Sequence, residues 1–168
     1  MMKRRPLIFF AIVAPLLSTS CRKPVQLSGG MSPTITNNEQ VTINYFAYAL
    51  AGPRRWDVVV LEGPPPMLPA DSKFLKRVIA LPEETIDLTS AGIVVNGSLI
   101  KIPTNLSYVS YVAPEGLPNQ TKAGLVAFPY TVPPKHYFVV GDNWTNSLDS
   151  RHYGAVALTN ILGRVKDK

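Results

Sequence analysis

Lys76 lies in the run Lys73-Phe74-Leu75-Lys76-Arg77-Val78-Ile79-Ala80-Leu81-Pro82. Read as a strand, this run puts Phe74, Lys76, Val78 and Ala80 on one face and turns Arg77 to the other. A free lysine amine, with a pKa near ~10.4, keeps its proton at neutral pH. Burial among apolar side chains disfavours the charged form and can lower that value to about 7–8, where the amine can act as a base. Taken by itself, Lys76 also fits an edge-strand lysine that blocks unwanted pairing. Ser28 and Ser32 lie two residues either side of Gly30, and Ser147 lies in the polar run Gly141-Asp142-Asn143-Trp144-Thr145-Asn146-Ser147-Leu148-Asp149-Ser150-Arg151. Gly-Asp-Asn favours a tight turn, so that run could simply hold a shape. Metal chemistry has little to work with. One cysteine, Cys21, permits neither an internal disulfide nor a CxxC site, and two histidines, His136 and His152, are too few for a His-based zinc site without carboxylates. Each histidine reads as an ordinary surface or strand residue.

The elements that must position these residues are short strands between turns. In 168 residues, 46% hydrophobic, there is room for one domain with a core. Sixteen prolines and eleven glycines argue for many turns and few long helices. Val41, Ile43 and Tyr45 alternate with Thr42 and Asn44. Residues 57–61 form a β-branched run, and 74–81 a second strand. Residues 93–95 and 98–100 flank Asn96-Gly97, a strong hairpin signal. A strand over 137–140 enters Gly141, and a last one lies at 155–157 or 161–165. Residues 103–134, rich in Pro, Gly, Tyr and Asn, form a long excursion. Its Tyr108, Tyr111, Phe128 and Tyr130 suit either a membrane interface or the core. The expected fold is mainly β and antiparallel, a barrel or a folded-over sheet, behind an N-terminal membrane segment.

The net charge of +6 is concentrated at one end, where Lys3, Arg4, Arg5, Arg22 and Lys23 bracket an apolar run. Without that segment the chain is close to neutral, which argues against nucleic acid and for membrane topology. The apolar stretch, residues 6–17, is shorter than the roughly 20 residues of a comfortable span and contains Pro15. It ends Leu17-Ser18-Thr19-Ser20-Cys21. Three readings stay open: a lipoprotein signal with Cys21 lipidated, an uncleaved short anchor, and a plain secretory signal. All three put residues 22–168, the β domain, outside the cytoplasm at or near the membrane, with 1–21 as the signal or anchor segment.

Four blocks, in this order behind an apolar segment, carry a resemblance. They are Ser28-Gly29-Gly30-Met31-Ser32-Pro33-Thr34, Arg54-Arg55-Trp56-Asp57-Val58-Val59-Val60, residues 73–82, and residues 141–151 with Gly154 after them. Together they resemble the bacterial type I signal peptidase (leader peptidase) family over nearly all of residues 25–166. The resemblance implies a serine endopeptidase of the Ser/Lys-dyad type. Such enzymes remove signal peptides from exported proteins after a small-x-small motif at the outer face of the membrane, with no metal or cofactor.

Carried over residue by residue, the resemblance makes Lys76 the general base and Ser147 the hydroxyl that orients it. Arg77 with Asp142, and Asp149 with Arg151, match family ion pairs; Met31, Pro33, Thr34 and Asn143 match supporting positions. Ser28 matches a position that helps bind the oxyanion. The departure is at Gly30, where the family keeps its nucleophilic serine. Glycine cannot form an acyl-enzyme. If the segment were extended, Ser28 and Ser32 would share a face displaced by about 6–7 Å, too far for attack without a backbone change. Three functions follow. The first is a catalytically impaired homologue that binds signal peptides or pre-proteins, with an active signal peptidase paralogue as a possible partner. The second is an active peptidase using Ser28 or Ser32. The third is a non-enzymatic envelope lipoprotein.

Overall fold

The computed structural model describes residues 29–63, 72–109, 111 and 126–166. Residues 1–28, with Cys21 and Ser28, lie outside them. Among the described residues there are ten short strands: β1 (Ile43–Asn44), β2 (Val58–Glu62), β3 (Lys73–Ala80), β4 (Thr85–Thr89), β5 (Gly92–Val95), β6 (Ser98–Leu99), β7 (Tyr130–Thr131), β8 (His136–Val140), β9 (Val156–Ala157) and β10 (Ile161–Val165). One α-helical turn, α1 (Ser150–Tyr153), lies between β8 and β9. The strands form a six-stranded sheet in the order β1-β10-β2-β3-β8-β9 and a four-stranded sheet β6-β5-β4-β7. All pairings are antiparallel. The expectation of a mainly β, antiparallel fold holds, as two open sheets rather than a closed barrel among the described residues. No helix of the described residues is long and apolar enough to cross a membrane.

The β-branched run of β2 is buried on both faces of the large sheet. Val58 and Val60 join Met31, Ile35, Ile43 and Leu75 on one side, while Val59 and Leu61 join Val78, Val139 and Ile161 on the other. That two-sided burial is why the run does not alternate with polar residues. A third cluster, including Ile79, Ala80, Ile86, Ile93, Val132, Phe138 and Trp144, draws on both sheets.

Some elements follow the sequence expectation, the hairpin among them, and others differ from it. Asn96 and Gly97 form the hairpin turn with positive φ values of 50° and 77°. The 41–45 strand shrinks to Ile43–Asn44, because Asn44 turns the chain by accepting from Phe46 N–H on its side chain and from Ala47 N–H on its carbonyl. Both candidates for the last strand form. β4 is additional; its alternating Ile86 and Leu88 carried the signal. Within 103–134, Tyr111, Phe128 and Tyr130 pack against the third cluster, while Tyr108 is exposed. Core packing therefore takes three of the four aromatics.

Candidate active site

β3 brings Lys76 into the interior. It pairs with Val59 of β2 and shares its strand face with Val78, and the residue as a whole is only 3% exposed. The alternation fails further on. A register shift between Val78 and Ala80 puts Ile79 and Ala80 into one cluster, so Ala80 does not share the Lys76 face as expected. Burial pushes the Lys76 amine below the usual lysine range. Asp149 and Asp142 pull it back in part, and Arg151 reinforces the lowering.

β8 delivers residues 141–149 against that amine. Ser147 Oγ lies 3.1 Å from Lys76 Nζ. Asp149 caps α1 and receives Arg151 Nε at 2.8 Å, Arg151 Nη2 at 2.8 Å and the Gly141 N–H at 3.0 Å. Burial alone would raise the Asp149 carboxyl. Arg151, the Gly141 N–H and Lys76 outweigh it and hold the carboxyl below its ordinary value. Arg151 also spans to the Ser147 carbonyl at 3.4 Å and lies 4.0 Å above the Trp144 ring. Asp142 takes Arg77 in a fork at 2.8 and 2.6 Å, and Thr34 donates to the same carboxylate. The sites carried over as two ion pairs thus stand as two buried ion pairs, one on each side of the loop.

The Gly29–Met31 segment is a single 3₁₀ turn, not an extended strand. Residues two apart in such a turn face different directions. Ser32 accordingly lines a pocket of about 380 Å³ with Pro33, Tyr108, Asp142, Asn143, Trp144 and Thr145. Ser147 lines a different pocket of about 350 Å³ with Asn146, Leu148 and His152. The extended conformation considered for this segment is replaced at 29–31 by the turn, and Ser28 lies outside the described residues. Met31 is buried in the core and Pro33 is exposed. The turn is clamped by Asn143, whose backbone N–H donates to Gly30 O at 3.0 Å and whose Nδ2 donates to Gly29 O at 2.9 Å.

A Cβ added at Gly30 would lie 3.2 Å from Lys76 Nζ and 3.5 Å from Ser147 Oγ. Position 30 therefore faces the amine. Sequence reasoning did not single out Gly141, yet it is essential to this approach: a Cβ there would fall 2.2 Å from both Gly30 O and Ser147 Oγ. His152, read from the sequence as an ordinary surface or strand histidine, lines the Ser147 pocket, and its Nδ1 accepts the Asp149 N–H at 3.4 Å. No local signal marks either residue, because each acts through a contact made by folding. Among the described residues no group of three or more His, Cys, Asp or Glu side chains could hold a metal ion.

Comparison with known proteins bears on the chemistry of a buried lysine beside a serine. The family described as signal peptidase, peptidase S26, matches residues 3–167. The chain belongs to the signal peptidase family. It is 32% identical to signal peptidase I V of Bacillus subtilis, with 99% of each chain covered. It is 33% identical to signal peptidase I of Leptolyngbya laminosa over 82% of this chain and 63% of that protein. A crystal structure of a signal peptidase I from Enterococcus faecalis is 27% identical, with a TM-score of 0.46, over 67% of this chain and 95% of that one.

Proposed function

We propose that this signal peptidase relative receives signal peptides of exported pre-proteins as extended strands and, with glycine at position 30, lacks the efficient acyl transfer of a serine-bearing site. In this reading Lys76 is the general base, Ser147 orients it, and the Arg77–Asp142 and Asp149–Arg151 pairs hold the loop in place. The observation that carries it is the position of Gly30: its side-chain direction points at Lys76 Nζ from 3.2 Å, and no hydroxyl is attached there. A place for the peptide is available on β3. β8 pairs with Arg77–Ala80, so among the described residues Lys73–Lys76 are paired on the β2 side alone. An extended peptide can add to that edge and bring a carbonyl toward Lys76.

The same reading places the domain at the outer face of the membrane, tethered by residues 1–21, where it meets pre-proteins and shares them with an active signal peptidase paralogue. The decisive test uses the full-length chain in detergent with a fluorescent signal peptide. The expected result is saturable binding, with cleavage slower than that of Gly30→Ser by about 10³-fold or more. Cleavage by Gly30→Ser should vanish when Lys76→Ala is added. Equal rates for the wild-type chain and Gly30→Ser would rule out the impairment. Absence of binding would rule out the peptide reading.

A further inference from the structure

We infer that the turn after β1 is a lipid-contact site: Phe46 and Leu50 enter the membrane surface while Arg54 and Arg164 take the phosphoryl headgroup of an anionic phospholipid. The inference lies outside the peptide site and rests on the tether proposed above. Residues 41–53 contain no charged side chain. Among the described residues Phe46, at 74%, and Leu50, at 101%, are the most exposed large hydrophobic side chains. They sit four residues apart on a turn held by its own backbone. Ala47 N–H donates to Asn44 O, Ala49 N–H donates to Phe46 O, and the Asn44 side chain accepts the Phe46 N–H. Apolar residues exposed singly are ordinary on a protein surface. Two that project from one held turn beside cations form the apolar and basic sides of an interfacial contact.

The cations border a pocket of about 290 Å³, lined by Tyr48, Arg54, Asp57 and Arg164 among others. Both arginines are exposed. The acid among them, Asp57, is turned inward: its side chain is 14% exposed, and it accepts Tyr48 Oη and the Arg54 N–H, each at 3.0 Å. Arg164 Nη1 lies 3.5 Å from Asp57, yet its side chain stays 46% exposed, so donors of its fork remain for another anion. Guanidinium forks match the oxygens of a phosphoryl group. Lys166 adds a cation at the same edge of the sheet, where its N–H bonds Thr42 O.

The path of the chain argues for lipid as the occupant. Residues 18–28 separate the apolar stretch from Gly29, and at ~3.5 Å per residue they reach no farther than about 40 Å. Met31, two residues past Gly29, and Ile43, just before the turn, share one buried cluster. The tether and the turn are thus two attachments of one packed cluster, and together they fix how the β3 edge faces the bilayer. The contact is small. It orients a tethered domain, to which lipid is presented at high effective concentration, and does not hold an untethered one.

The test uses the full-length chain in vesicles whose acyl chains carry bromine, a short-range quencher of tryptophan. Phe46→Trp is compared with Leu99→Trp, a control at an exposed position of the other sheet, each after subtraction of the parent chain's signal. The expected result is quenching at least about twofold stronger at 46 than at 99 in phosphatidylglycerol vesicles. Arg54→Gln with Arg164→Gln, or zwitterionic vesicles, should remove most of that difference while the chain still floats with the vesicles. Leu50→Ser should weaken it without touching the arginines. Equal quenching at 46 and 99, or quenching indifferent to the two arginines, overturns the contact and leaves the tether standing. A chain that floats with neither kind of vesicle overturns both. Inorganic phosphate at matched ionic strength should leave the Tm of the detergent-solubilised chain unchanged. A rise that the two-arginine variant loses would assign the pocket to a free anion and overturn the lipid assignment. A dimer in detergent that Phe46→Ser dissociates would give the turn to a second copy and overturn it as well.

Discussion

Lys76 has its proton affinity lowered by folding, and this gives it a signature independent of turnover. The folded chain releases the Lys76 proton at a lower pH than the unfolded chain, whose amine has the ordinary value of 10.5. Between the two values the unfolded state binds more protons, so stability rises with pH there. The cost is fully present below the folded value and disappears above the unfolded one. Lys76→Met is therefore expected to be more stable than the wild-type chain in urea at neutral pH, with the gain shrinking as the pH approaches 10.5. A constant difference across that range would mean that the amine is solvated in the folded state. Cleavage by Gly30→Ser should likewise rise with pH through a value below 10.5, as Lys76 loses its proton. Lys76, Ser147 and the two Asp–Arg pairs were legible in the sequence because they sit in compact blocks whose order carries a family pattern. Gly141 was not, because its need for a missing Cβ arises from Gly30 and Ser147, which reach it only after the sheet forms.

The strands explain what could be read at the level of elements. β2, β3, β8 and the β5–β6 hairpin declare themselves by apolar runs or turn residues, and all form near the expected positions. The bulge in β3 and the 3₁₀ turn at Gly29–Met31 do not. A register shift is a property of two strands, and Gly-Gly permits too many conformations to predict one. These two features join at the loop from β8, which leads to two predictions. Gly141→Ala, introduced into Gly30→Ser, should abolish cleavage through a collision at 2.2 Å with Gly30 O and Ser147 Oγ. Circular dichroism should show that the sheets survive. Asp142→Ala leaves the buried Arg77 guanidinium without its carboxylate, which should cost about 3–5 kcal/mol in urea unfolding. The double change Arg77→Met with Asp142→Leu should cost less, since no charge then stays buried alone.

At the scale of the whole molecule, the hydroxyl absent from position 30 bears on chemistry far more than on folding. The proposed tether gives one prediction: membrane fractions should hold the full-length chain, and a chain starting at residue 22 should no longer sediment with them. The turn that carries position 30 is fixed from outside. Asn143 grips the carbonyls of Gly29 and Gly30, and Met31 is anchored in the core. Residue 30 has no positive φ, and an added Cβ would contact the flexible end of Lys76 rather than backbone at closest approach. Gly30→Ser should therefore alter urea stability by less than about 1 kcal/mol. With a stability effect that small, selection acting through the abundance of folded protein would not distinguish serine from glycine at this position. A lineage that lost or regained the hydroxyl would then need no compensating change elsewhere, and its thermal denaturation would carry no trace of which way it had gone.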